Sequence, residues 1–122
     1  MNEKISLLFI ILSTSFFSQA DTIIIWECEL ENDSTLEDVK EANSKWLNSV
    51  NKISSPKVRS QVLQPFASSN MEGFLFIDYY ADEVAMAKVR REIRAGKLSG
   101  LDDYFEGVSE CEKSYIYHAE DS

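Results

Sequence analysis

The hydrophobic pattern of this chain predicts one α+β domain, a four-stranded antiparallel sheet with helices on one face. Three observations predict it. Short β-branched and aromatic runs alternate with amphipathic segments of helical period, in the order β-α-β-β-α-(α)-β. About 100 residues follow a leader-like N-terminus, the size of one domain. The two cysteines, Cys28 and Cys111, lie next to the first and last strands, which this order makes neighbours.

Residues 1–20 read as a secretory signal peptide, and residues 21–122 as the single mature domain. Lys4 sits in a short polar start, Ile5 to Phe17 is apolar, and Ser18-Gln19-Ala20 is a small-x-small cleavage site. The apolar run, about 13 residues, is too short to span a bilayer core of roughly 30 Å. The expectation is a secreted or periplasmic protein with no membrane attachment after cleavage. In an oxidising space two thiols pair, so a Cys28–Cys111 disulfide is expected. The chain carries 21 acidic against 12 Lys and Arg residues, a formal charge of -9. That balance argues against nucleic acid or anionic lipid as the main partner.

Thr22 to Leu30 is β-branched and aromatic, and predicts the first strand. Ser34 and Glu37 fit a capping box for a helix from about Thr35 to Asn51. Its apolar face is Leu36, Val39, Trp46, Leu47 and Val50, interrupted by Asn43. Ser54-Ser55-Pro56 breaks the chain. Val58 to Phe66 predicts a second strand, placed at an edge by Pro65. Phe74 to Tyr80 is a third strand, apolar at nearly every position. Asp82 caps a second helix to about Ala95, with Ala85, Met86, Val89 and Ile93 inward and Gly96 as its left-handed stop. A shorter helix is expected over 101–108, and a last strand from Lys113 to Ala119.

This order is the ferredoxin-like, split β-α-β arrangement. Its spatial order 4-1-3-2 lays the end of the first strand beside the start of the last, which brings Cys28 and Cys111 together. Closing that loop is worth about 4 kcal/mol in the chain-entropy model, less any strain. The central strands are apolar on both faces. Ile23, Ile25, Leu75 and Ile77 oppose Ile24, Trp26, Phe74 and Phe76. Two helices cover only one face, so a sheet-to-sheet homodimer is expected to cover the other.

The topology, with the WECEL, ANSKWL, GFLFIDYY and YIYHAE segments, resembles the dimeric α/β barrel superfamily. That group includes antibiotic-biosynthesis monooxygenase-like proteins, haem-degrading relatives and small isomerases. The resemblance implies a homodimer, a pocket between helices and sheet, and in many members no cofactor. The haem-degrading branch uses Asn, Trp and His. Here Asn43 and Trp46 share one helix, so that activity is not carried over.

Three residues are candidates for binding a ligand. Asn43 is an amide where the helix pattern asks for an apolar group. Trp46 lies one turn further on the same face, and His118 is the sole histidine, the natural base near neutral pH. Asp78, inside the apolar third strand, either faces the pocket or pairs with Arg59 or another basic residue. No metal site is expected, since the His, Cys and carboxylates have no ligand-like spacing. No GxGxxG, P-loop or GxSxG is present. The expected function is an exported protein acting on a small apolar or aromatic molecule, as a monooxygenase-like or isomerase-like enzyme without cofactor. The alternative is a non-enzymatic interaction module on the same scaffold.

Overall fold

The computed structural model describes residues 21–122 apart from 68, 70, 97, 99 and 101. The expected signal peptide and Leu101 lie outside the described residues. Strand β1 (Asp21–Leu30) leads to helix α1 (Leu36–Asn51), strands β2 (Arg59–Leu63) and β3 (Gly73–Tyr80), helix α2 (Glu83–Arg94) and strand β4 (Ser109–Ala119). The strands form one sheet in the order β2-β3-β1-β4, antiparallel at every pairing. This is the ferredoxin-like arrangement read from the pattern.

Side chains of a strand alternate between faces, and the register fixes which face each takes. Thr22, Ile24, Trp26 and Cys28 share the helix side with Phe74, Phe76, Asp78 and Tyr80. Ile24 and Tyr80 pack with Val50 of α1 and Val89 of α2, while Cys28, Phe74 and Phe76 pack with Val39 of α1. Phe76 stacks edge-on between Phe74 and Phe105, at 5.1 and 5.4 Å between ring centres.

The opposite face carries Ile23, Ile25, Leu75, Ile77 and Tyr79, and among the described residues no helix packs over it. Tyr115 and Tyr117 of β4 pair with Ile25 and Ile23 on this face, and their rings stack at 6.3 Å. At its margin Arg59 sits 4.3 Å over the Tyr79 ring and 3.6 Å from Asp21.

Four boundaries differ from expectation. The capping box sits one residue later. Thr35 Oγ1 accepts from the Asp38 amide, and Asp38 Oδ2 accepts from the Thr35 amide at 2.8 Å. Ser34 instead donates to the Gly107 carbonyl at 3.2 Å, tying the start of α1 to the chain before β4. Strand β2 ends at Leu63, so Pro65 lies beyond it, although β2 is the edge strand expected. The third helix is only a 3-10 turn, Asp102–Tyr104, because the amides of Asp103, Glu106 and Val108 bond three residues back and Gly107 takes φ +76°. Strand β4 starts four residues before Lys113. It takes in Cys111, which is bonded to Cys28 and directly opposite it in the ladder. Between Glu27 and Cys28 the register slips by one, leaving Glu112 as a bulge.

Candidate functional site

The candidate pocket lies between α1, the sheet and the segment leading into β4. Trp26, Phe76 and Asp78 come from the sheet, Asn43 and Trp46 from α1, and Phe105 and Cys111 from the last part of the chain. Its volume is about 210 Å³. The chain has two tryptophans, and both line it.

Each polar group is placed by register or helical period. Asp78 faces Ser60 across the β2–β3 pair and Ile24 across the β3–β1 pair. Two residues along β1, Trp26 takes the same face and reaches back diagonally. Asn43 lies one helical turn from Val39 on the buried side of α1. The result is a chain of hydrogen bonds. Asn43 Nδ2 donates to Ser60 Oγ at 2.9 Å, Ser60 Oγ donates to Asp78 Oδ1 at 2.7 Å, and Trp26 Nε1 donates to Asp78 Oδ2 at 3.1 Å. Because Ser60 Oγ accepts from Asn43, its own proton is directed to Asp78.

Asp78 is 5 % exposed and Asn43 8 %. Burial pushes the Asp78 carboxyl above the ordinary value of 3.8, against the pull of the Ser60 and Trp26 hydrogen bonds. Tyr80 is raised as well, first by its own burial and then by the negative charge of Asp78, with Arg90 opposing. A desolvated carboxyl of this kind can exchange a proton with a bound molecule or serve as its charge partner.

Of the three ligand candidates, Asn43 and Trp46 meet in this pocket. His118 does not. It lies on β4 opposite Thr22, and its Nε2 is 2.7 Å from Glu83 Oε1 in an exposed pair at the N-terminus of α2. Asp78 takes the pocket-facing alternative, and Arg59 turns to the opposite face. Ser60, Trp26 and Phe105 were not singled out by sequence. A small hydroxyl and aromatics in apolar runs look like ordinary sheet and core residues until the register is known.

A larger depression of about 470 Å³ lies at the other end of the sheet, against Leu63, Phe66 and Phe74. Phe66 at its wall is 96 % exposed. No buried polar side chain lines it. Among the described residues, no group of three His, Cys, Asp or Glu is placed to hold a metal ion, and no helix is long and apolar enough to cross a membrane.

No family model matches this sequence, and no curated protein does. Solved structures do match. SnoaB, a cofactor-independent oxygenase from Streptomyces nogalater, superposes with TM-score 0.59 at 9 % identity, over 84 % of this chain and 96 % of that one. What the two chains share is the fold, a four-stranded antiparallel sheet with its helices on one face. A second similar structure is At3g17210 from Arabidopsis thaliana, with TM-score 0.52, 12 % identity and coverage of 84 % and 95 %. At these identities the likeness is one of fold, and the chemistry must be argued from the pocket.

Proposed function

We propose that this is an exported, homodimeric protein that takes a small, largely apolar or aromatic molecule into the pocket between α1 and the sheet. There it acts as an isomerase-like or monooxygenase-like enzyme without a cofactor. The observation that carries the reading is the convergence of Asn43, through Ser60, on a buried carboxyl inside an aromatic-walled cavity. Ligand sites are mostly apolar hollows with a few polar groups fixed in position, and this one has that composition. An interaction module would have a filled core here. The scaffold shared with a cofactor-independent oxygenase supports the same reading. The disulfide and the small-x-small site after Phe17 support export to a secreted or periplasmic location.

The uncovered face of Ile23, Ile25, Leu75 and Ile77 supports the homodimer, since a second copy is the simplest cover. The test of function is native mass spectrometry of protein purified from its own host. A small organic molecule held by the wild type and lost on Asn43→Leu supports the proposal. An empty protein, or equal retention by a folded Asn43→Leu variant, refutes it.

A further inference from the structure

Asp78 has no cationic partner among the described residues. Its two oxygens accept from neutral donors, Ser60 and Trp26. The described ion pairs run through Asp21, Glu37, Glu41 and Glu83 instead. Arg59, on the neighbouring strand, is directed to the opposite face and over Tyr79. Among the described residues, no Lys or Arg lines the pocket. A buried carboxylate left in this state is costly, and the cost is relieved by a cation brought to it.

The walls suit a cation too. Trp26, Trp46, Phe76 and Phe105 line the pocket together with Asp78, and the Trp26 indole N–H is bonded to the carboxyl. Aromatic rings attract a cation through their quadrupole, tryptophan most strongly. The hydrogen-bond chain leaves room for it. Each Asp78 oxygen accepts one bond from the protein, and an ionised carboxylate offers about four acceptor positions. The charge of -9 on the whole chain favours approach of a cation and opposes an anion.

We propose that the pocket recognises an organic ammonium ion, with its charged head against Asp78 and an aryl or alkyl body among the tryptophan and phenylalanine rings. The volume of about 210 Å³ is below the roughly 300–1,000 Å³ of drug-sized sites, so the ligand is a one- or two-ring amine or an alkylamine of similar bulk. This rests on the small-molecule reading of the same pocket and names the chemical class it takes. Asn43 is a positioning residue here. It holds the Ser60 hydroxyl on Oδ1 and so fixes the carboxylate that meets the ligand.

The test compares two probes of nearly equal shape, phenethylamine and 2-phenylethanol, by calorimetry on the mature, disulfide-bonded protein at neutral pH. The ammonium should bind at least tenfold more tightly than the alcohol. Asp78→Asn should remove that preference while keeping the alcohol. Asn43→Leu should weaken the ammonium more than the alcohol. The wild-type comparison stands by itself where a variant fails to fold. Equal binding of the two probes, or tighter binding of the alcohol, overturns the ammonium inference and leaves the small-molecule reading in place. Binding of neither at millimolar concentration also overturns the ammonium inference, and the small-molecule reading is then decided by the mass spectrometry of the host protein.

Discussion

Asp78 combines burial with negative charge, so its effect on stability has a definite sign. Its native pKa is raised above the unfolded value of 3.8. Between those two values the folded protein holds more protons than the unfolded chain, so stability falls as pH rises through that window. Asp78→Asn removes this titration. The stability of that variant relative to wild type should therefore climb with pH from about the ordinary carboxylate value and level off above the raised one, as urea melts at a series of pH values would show. A flat difference across the range would mean that the carboxyl is not desolvated. The oddity of Asp78 was legible in the sequence, as an acid in a strand that is otherwise apolar. Its partner was not. The ladder sets Arg59 opposite Tyr79 and Ser60 opposite Asp78, and a one-residue change of register exchanges the faces. Asn43 was legible because helical period is local. A helix of sixteen residues reports its own buried side without reference to the sheet.

At the level of elements, the two ends of the domain are tied together near Cys28. The disulfide joins β1 to β4, the Glu31 amide donates to the Val108 carbonyl, and Asn32 and Ser34 both donate to the Gly107 carbonyl. Replacing both cysteines by serine should lower stability by up to about 4 kcal/mol, visible as a lower thermal midpoint than the oxidised wild type. An unchanged midpoint would show that the hydrogen bonds alone hold β4. The start of α1 gives a finer check. Thr35→Ala should cost about 1 kcal/mol, because it removes the cap of the helix, and should exceed the loss from Ser34→Ala in chemical denaturation. The spacing Ser34-x-x-Glu37 places the cap one residue too early. The choice went to Thr35 because Ser34 is drawn to Gly107, 73 residues away. The early start of β4 was hidden for a similar reason. Ser109 to Cys111 has little strand character of its own, and it is held extended by pairing with Cys28 to Leu30.

For the whole molecule, the proposed function assigns two roles to one sheet. The helix side carries the pocket, and the other side carries an apolar surface suited to a second copy. Trp26 and Phe76 both face the helices, so the homodimer must be probed from Ile25 or Ile77. Ile77→Glu should yield monomers in analytical ultracentrifugation at micromolar concentration, since a charge buried at the interface has no partner. A wild-type monomer under the same conditions would refute the dimer. The topology was legible because strand order and cysteine placement constrain each other. The pocket was only half legible, because it depends on side chains from β1, β2, β3 and α1 that meet through register. The central claim is that this meeting point binds a small molecule. Both tryptophans line the pocket, and the Trp26 indole N–H is bonded to Asp78. The most direct measurement is therefore the indole N–H spectrum of isotope-labelled mature protein as the molecule recovered from the host is added. Both indole signals should shift with saturation in the wild type, with the larger change at Trp26. Binding that leaves both signals in place would put the ligand elsewhere and contradict the account.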